Sequence, residues 1–511
     1  MKEPNPMRFL EKLYDENMTR RLAAVRTPRR EYRWFDELVM IYIGLVLLFQ
    51  ILFQISPVVS FLAQTSLYSI QTYLGLLGGG LILVDLFTTK RIWQGKYSLL
   101  LYAVLILSAV ASVRMIGYGV KENLFKICWM AVQFVLVYSS VQRMERGLFV
   151  QYAKILFASL LAIWLVACCV SLYQYLYQIR YLYVVNPLAQ DASANRQGFY
   201  DHRLFGIFYT LNHAAYISLI FFAFVLFWII KTKHAWLRFP LGLAGLILLS
   251  HVLLTSSRSA YIALLVCTFC AVWMFARNRF RKQYWRSTLI AAAAVLAAVV
   301  CLNVYKVGLG QVPQWWYHNV TESDQLGALL PEEWKDSIMP PEDDLLYRDE
   351  LEDDQSNGRM DIWKDYISLY NKVGLVGLSP GNYMPYILEN HPDLYIVEYV
   401  REHYPDKYES GIIYHVHSGY LMVYVSAGLL GAVALAAFVI LFLRRTIRAA
   451  IGEQRLSSLF ICTAAFVVAG AISAVFDEGL FFQNNPQTTL FWLALGALAK
   501  EATLQEKTNR G

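Results

Sequence analysis

The chain has 511 residues, of which 57% are hydrophobic and only 16% are charged, and its mean hydropathy is +0.40. This composition excludes a disordered chain and an ordinary soluble domain, and it indicates a polytopic membrane protein. The formal net charge of +7 comes from basic residues in the connections between apolar runs. Membrane topology explains these residues, so we predict no nucleic-acid partner.

The N-terminal segment, residues 1–37, is polar and basic, and the first long apolar run begins near Leu38. This order of polar and apolar residues does not match a cleavable signal peptide. We therefore predict that residues 1–37 are cytoplasmic and that the first apolar run acts as an uncleaved insertion signal.

Apolar runs of bilayer length predict an all-α polytopic integral membrane protein with about twelve transmembrane helices. The predicted spans are residues 38–56, 69–87, 97–114, 124–141, 148–172, 204–230, 239–256, 260–276, 288–309, 418–443, 457–476 and 480–498. Nine spans then occupy residues 38–309, one large external loop occupies 310–417, three spans occupy 418–498, and residues 499–511 form a cytoplasmic tail.

Basic residues cluster in every second connection between the predicted spans, as the positive-inside rule requires of cytoplasmic connections. The clusters are Lys90, Arg91 and Lys96; Arg143 and Arg146; Lys231, Lys233 and Arg238; Arg277, Arg279, Arg281, Lys282 and Arg286; and Arg444, Arg445, Arg448 and Arg455. Both termini are then predicted to be cytoplasmic. The two long connections, about 173–203 and 310–416, are predicted to face outward.

The large external loop contains an acidic run, EDDLLYRDELEDD at residues 342–354, with eight carboxylates in thirteen residues. Such a run is typical either of a site for a divalent metal or a cationic partner, or of a solvated acidic segment. The run lacks the spacing and the turn glycine of an EF-hand, and the chain has no Gly-rich phosphate loop and no HExxH motif. We therefore predict a solvated segment, no metal site and no cofactor.

Strongly polar residues fall on the predicted external side of several separate regions. Arg203 precedes most of the sixth span, Arg258 lies in the turn between the seventh and eighth spans, and Arg359 and His417 lie in the large loop. An arginine beside an apolar core is either functional or extends its side chain toward the lipid headgroups. Asn212, further along the sixth span, is either an inward polar lining or part of a packing pair.

Arginines together with a histidine at one membrane boundary favour one kind of chemistry. Arginines bind phosphate oxygens in pairs and keep their charge, so they suit a lipid-linked diphosphate. A neutral histidine can take a proton from an attacking hydroxyl. Glycosyl transfer from a polyprenyl-diphosphate sugar uses both, because the diphosphate is already a good leaving group and charge stabilisation can replace a general acid.

The residues around these positions resemble the O-antigen ligase family, which includes O-antigen-type polysaccharide polymerases. The resemblance rests on RLFGIFYTLNHAAY, SSRSA, GRMDIW, GLSPGNY and HVHSGYLMVYVSAGLLG, which follow one another over residues 200–431. It implies metal-independent transfer of an undecaprenyl-diphosphate-linked glycan to a hydroxyl of a glycan or lipid acceptor. It also implies a place in the bacterial cytoplasmic membrane, among its lipids, with the active face outside.

The resemblance assigns roles residue by residue. Arg258 matches the arginine of the family's SR turn, Arg359 the loop arginine ahead of the tryptophan, and His417 the histidine of the HN-x-Y/F-L motif, so these three would be catalytic. Substrate-binding roles fall on Arg203, Asn212, His415 and Trp363. The family often has asparagine where this chain has Ser418, and His415 therefore stays a rival to His417 as the catalytic base.

Two other classes of protein compete with a glycosyltransferase of this kind. A secondary transporter or a flippase of lipid-linked sugars also suits about twelve helices, but its ionisable groups should gather near the middle of the membrane. A metal-dependent glycosyltransferase should carry acidic ligands in its first outer loop, and residues 57–68 contain no carboxylate. The sequence does not distinguish a ligase from a polymerase, because nothing in it reports the acceptor.

Overall fold

The computed structural model describes residues 32–184, 194–281, 283–318, 358–452 and 454–508. The acidic run at 342–354 lies outside these residues. The helices before residue 180 are α1 (Arg33–Leu52), α2 (Ser56–Ala63), α3 (Ser66–Thr89), α4 (Ser98–Arg114), α5 (Lys121–Arg143) and α6 (Arg146–Leu176), with 3₁₀ turns at Ile92–Gln94 and Ile116–Tyr118. The next are α7 (Leu211–Lys231), α8 (Ala235–Leu254), α9 (Arg258–Arg279) and α10 (Tyr284–Trp316).

Residues 358–418 carry five short helices: α11 (Arg359–Ser368), α12 (Tyr370–Val373), α13 (Tyr383–Asn390), α14 (Tyr395–His403) and α15 (Pro405–Glu409). The chain then continues through α16 (Gly419–Ile451), α17 (Ser458–Phe476) and α18 (Pro486–Thr508). Within the described residues, ten helices are long and apolar enough to cross a membrane, and α4 is a shorter apolar helix. The prediction of an all-α polytopic membrane protein is confirmed.

A small antiparallel sheet precedes α7, and the sequence did not predict it. Its strands are β1 (Arg180–Val184), β2 (Ala194–Tyr200) and β3 (Arg203–Gly206), in the order β1-β2-β3. The predicted start of the sixth span at residue 204 is therefore wrong, and the helix starts at Leu211. The apolar residues Leu204 and Phe208 imitate the start of a span, but they are buried beneath neighbouring helices.

The helix of the last predicted span, α18, is not among these ten long apolar helices, and it also starts later than residue 480, the predicted start. Residues between Asp477 and Asn485 form an irregular connection, and α18 begins only at Pro486. The side-chain oxygen of Asn485 accepts a hydrogen bond from the Thr488 backbone N–H at 2.8 Å and satisfies a donor in the first turn. Proline suits the first position of a helix because its missing N–H would have no partner there.

Contacts between helices define two ends of the bundle. At the first, which we call the site end, the Gly419 N–H donates to the Asp477 carbonyl at 3.0 Å and the Tyr175 hydroxyl donates to the Leu309 carbonyl at 2.9 Å. At the second, which we call the basic end, arginines form ion pairs with buried or half-buried carboxylates. These pairs are Arg91–Asp36, Arg143–Asp85, Arg146–Glu501 and Arg445–Glu506.

The segment 358–418, which we name the outer segment after its predicted side, is fixed to α16 where that helix is broken. Gly428 has φ of +69°, so the regular helix is interrupted at this residue. The loop 374–379 supplies the missing partners: the Leu378 N–H donates to the Val425 carbonyl at 2.7 Å, and the Leu429 N–H donates to a loop carbonyl at 3.1 Å. A broken helix in an apolar environment needs such partners, because an unsatisfied backbone group is costly there.

Candidate active site

The turn that carries Arg258 is fixed by a chain of hydrogen bonds. Arg258 is the first residue of α9, and Ser257 precedes it in an extended conformation. The Ser257 hydroxyl donates to the side-chain oxygen of Asn212 at 3.2 Å, and Arg203 Nη2 donates to the same oxygen at 3.3 Å. Arg203 Nε also donates to the Thr255 carbonyl at 3.0 Å. Arg203 and Asn212 therefore position the turn from which Arg258 projects.

Arg359 is the first residue of α11, directly after a glycine that tightens the turn. Gly358 has φ of +73°, a left-handed conformation that glycine adopts without strain. Burial lowers the pKa of the Arg359 guanidinium, the Asp477 carboxylate opposes this shift, and Arg258 adds to it. The two arginines are thus electrostatic neighbours, and a bound anion would relieve their mutual repulsion.

Several helix N-termini meet at the site end. The helices α7, α9 and α16 begin there, and α11 begins at Arg359, whose charge interacts with that of Arg258. Each N-terminus carries a partial positive charge. A cation at the first position of a helix adds to this charge instead of balancing it. The arrangement therefore favours a polyanion such as a diphosphate.

Trp363 of α11 contacts both the segment that carries the two histidines and the end of α17. Its indole N–H donates to the carbonyl of Val416, between His415 and His417, at 3.1 Å. Its ring stacks on Phe476 at the end of α17, with centroids 6.4 Å apart and an interplanar angle of 28°. Trp363 thereby fixes the segment of both histidines against α11 and α17.

His415 forms an ion pair with a carboxylate from the connection between α17 and α18. The distance from His415 Nδ1 to Glu478 Oε1 is 3.0 Å, and the Glu478 side chain is only 12% exposed. Desolvation lowers the pKa of His415, but the charge and hydrogen bond of Glu478 raise it more, so the net shift is upward. Burial raises the pKa of Glu478, while His415, His417 and Lys126 lower it, so the net shift is downward. The ion pair therefore favours the charged form of both side chains.

His417 has the opposite character from His415. Burial lowers the pKa of His417, the charges of His415 and Arg359 lower it further, and Glu478 and Asp477 only partly oppose the shift. Its φ of +50° is left-handed, which is uncommon for a residue with a side chain. His417 is therefore neutral near pH 7, close to an arginine, and able to accept a proton.

Asp477 and Glu478 complete the site, and the sequence analysis missed both. Asp477 Oδ2 lies 3.9 Å from Nε2 of His213, and its charge acts on Arg359. The available signal was their position, because two adjacent carboxylates in a short connection between the last two apolar runs face the same predicted side as the arginines. Lys126, near the start of α5, was also missed and is an electrostatic neighbour of His415 and Glu478.

The structure brings every predicted site residue to the site end. Arg203 and Asn212 support the Arg258 turn, Trp363 fixes the segment of His415 and His417, and the charge of Arg359 interacts with those of Arg258 and His417. Among the residues that the structure describes, no three His, Cys, Asp or Glu side chains are grouped so that they could hold a metal ion.

Comparison with known families gives one match. Residues 243–436 match the family model Wzy_C, described as O-antigen ligase. The match supports an O-antigen ligase-like family for this stretch. No curated protein and no solved structure matches the chain.

The O-antigen ligase match covers most of the site residues that the sequence predicted. It includes Arg258, Arg359, Trp363, His415 and His417, whereas Arg203, Asn212, Asp477 and Glu478 lie outside its bounds. The match supports a ligase- or polymerase-like role in glycan biosynthesis at a membrane, which is the work of a glycosyltransferase-type enzyme.

Proposed function

We propose that the chain transfers a glycan from a polyprenyl diphosphate, undecaprenyl diphosphate by the resemblance, to an acceptor hydroxyl at the outer face of the bacterial cytoplasmic membrane. One observation carries the proposal: Arg258 and Arg359 each open a helix, their charges interact, and the charge of Arg359 also acts on His417. The arginines suit a diphosphate, and a histidine with a lowered pKa suits the activation of a hydroxyl.

The donor diphosphate binds between the arginine side chains and the helix N-termini. A guanidinium presents two parallel N–H donors to phosphate oxygens, so Arg258 and Arg359 hold the diphosphate by bidentate hydrogen bonds. Arg203 and Asn212 act on the donor through the position of the Arg258 turn. The glycan at the diphosphate is then presented toward His417, on the side of Arg359.

Transfer requires one bond to form as another breaks. The acceptor oxygen attacks the anomeric carbon of the donor glycan, and the bond from that carbon to the diphosphate oxygen breaks. The electron pair of this bond leaves with the polyprenyl diphosphate, where the charges of Arg258 and Arg359 stabilise it. The acceptor proton passes to the neutral imidazole of His417. The arginines supply the charge stabilisation, so the reaction as proposed requires no metal.

His415 has a supporting role in this scheme. Its ion pair with Glu478 favours the protonated imidazole, and a protonated imidazole cannot act as a base. Glu478 Oε2 is buried and has no hydrogen-bond partner among the described residues, and a buried carboxylate oxygen needs such a partner, which an acceptor hydroxyl would supply on entering the site. We therefore assign the base to His417 and the orientation of the acceptor to the His415–Glu478 pair.

The experiment that tests this function uses purified full-length protein in liposomes. The substrates are the lipid-linked glycan and the acceptor, both extracted from cells in which the gene has been deleted. We expect a transferred or elongated glycan together with free polyprenyl diphosphate, in equal amounts, with and without EDTA. Movement of intact lipid-linked glycan between leaflets, with no glycosidic bond formed, would indicate a flippase instead. Loss of transfer on chelation, restored by a divalent ion, would contradict the metal-free reaction.

A further inference from the structure

A connected group of aromatic rings leads away from His417 across the outer segment. We call it the aromatic track and define it as Tyr395, Tyr399, His403, Tyr404 and Tyr414. The Tyr414 ring lies 6.2 Å from the His417 ring and 5.2 Å from the Tyr399 ring, between centroids. Tyr399 continues the track to Tyr404 at 6.4 Å, to Tyr395 at 5.5 Å and to His403, stacked at 4.1 Å. The track therefore extends outward from the proposed base.

The track is not the core that holds α14 in place. Ile396, Val397 and Val400 form the buried face of this helix. Tyr395, Tyr399 and His403 follow one another at intervals of four residues and lie beside that face, half-buried or exposed. Aliphatic side chains provide the fully buried anchor of α14, and among the track residues only Tyr395 and Tyr414 also pack, partly buried, against the core. The rings of Tyr399, His403 and Tyr404 lie outside this core and are half-buried or exposed, so they can contact a ligand.

The chemistry of the track suits a sugar chain. A pyranose ring has faces of C–H groups and a rim of hydroxyls, so it pairs with an aromatic face whose edge carries a hydrogen-bonding group. Tyr404 is 45% exposed, and the Lys407 ammonium lies over its ring at 5.0 Å. Charged side chains of α14, Glu398 and Arg401 among them, are exposed nearby and can bind hydroxyls. A lipid tail would not match these charged neighbours.

We propose that the aromatic track binds the glycan of the acceptor, with the sugar that carries the attacking hydroxyl against Tyr414 and the preceding sugars along Tyr399 and Tyr404. The inference rests on the proposed function and identifies the acceptor as a glycan chain at this site. Continuity with His417 selects the acceptor over the donor. The base removes the acceptor proton, and the rings begin at the base, whereas the donor is held at Arg258 and Arg359 in the proposed function.

The test compares kinetics of transfer for Tyr399→Ala, Tyr404→Ala and the ring-preserving Tyr399→Phe and Tyr404→Phe. Donor lipid and acceptor, extracted from cells without the gene, are varied independently. We expect each alanine variant to raise the KM for acceptor by about five- to tenfold, with the KM for donor within about twofold of wild type. The phenylalanine variants should stay close to wild type, because they keep the stacking face.

Tyr370→Ala is the matched control. Tyr370 is 61% exposed on the same outer segment but lies outside the track, so both KM values should be unchanged. Thermal unfolding of each purified variant checks that it is folded. An unchanged KM for acceptor in both alanine variants, or an equal rise in the KM for donor, would overturn the proposal. Absence of product with the wild-type protein would instead refute the proposed function.

Discussion

The charges around His415 and His417 shift the pKa values of these two histidines in opposite directions, although they are almost adjacent in sequence. Glu478 raises the pKa of His415 and favours its protonated form, whereas burial and the charges of His415 and Arg359 lower the pKa of His417 and favour its neutral form. The motif order in the sequence predicted a histidine base but left both residues open. The deciding partner, Glu478, is 61 residues beyond His417, and no local pattern around the histidines reveals it.

This difference predicts the pH dependence of His415→Gln. His415 lowers the pKa of His417, so its removal raises that pKa, and His417 becomes protonated at higher pH. We expect the acid limb of kcat to move to higher pH, while the rate on the alkaline plateau stays within about tenfold of wild type. The pH profile of kcat measures both. His391→Gln, on the same outer segment, should leave the limb in place. A loss of about 10²–10⁴ at every pH would make His415 the base.

The same pair predicts a pH window for stability. The pKa of His415 is raised above 6.5, so its contribution is present below pH 6.5 and is lost as pH rises through the folded-state value. The pKa of Glu478 is lowered below 4.5, so its contribution is present above pH 4.5 and is lost as pH falls through the folded-state value. We expect the Tm difference between wild type and Glu478→Gln to be largest between about pH 4.5 and 6.5. A difference that grows above pH 8 would contradict this linkage.

At the scale of elements, the break in α16 predicts a sensitive glycine. A Cβ at Gly428 would meet the backbone of Leu375, and φ of +69° is strained for any residue with a side chain. We expect Gly428→Ala to lower the free energy of unfolding by about 1–3 kcal/mol or more, measured as a lower Tm in detergent. Gly80→Ala is the control, because a Cβ at Gly80 meets nothing within 4 Å. Equal Tm values for the two variants would contradict the role of the break.

Most helices could be predicted from the sequence because their apolar runs are long and their ends carry charge. The sheet could not, because Leu204 and Phe208 are as apolar as the start of a span. Backbone pairing decides their structure. Leu204 lies in β3, which pairs with β2, and Phe208, in the buried connection, pairs with the distant Ile55. Tertiary contacts of this kind override local hydrophobicity.

At the scale of the whole molecule, separation of charge between the two ends predicts orientation. The basic end carries the arginine clusters of the positive-inside pattern, so the site end should face outward. In a cysteine-free background, we expect Lys364→Cys on α11 to react with an impermeant thiol reagent in intact cells. Lys233→Cys, between α7 and α8, should react only after lysis. Both residues are exposed. The reverse pattern would place the site on the cytoplasmic side.

The sequence predicted only that the site residues share one side of the membrane. Alternating spans put Arg203, Arg258, Arg359 and His417 on one predicted side, but sequence gave no distances between them. Asp477 was missed because a short connection with two carboxylates resembles an ordinary solvated turn. Its role emerges when α17 and α11 pack through Trp363 and Phe476, which brings its charge to Arg359.

The most direct test of the account separates donor binding from turnover in two variants of the purified protein. Arg258→Lys keeps the charge but loses the bidentate fork, so it should weaken binding of the polyprenyl-diphosphate glycan and reduce transfer. His417→Ala should bind the donor as wild type does, remain folded, and lose about 10²–10⁴ in turnover. Near-normal turnover by His417→Ala, or unchanged donor binding and transfer by Arg258→Lys, would contradict the assignment of diphosphate to the arginines and of the proton to His417.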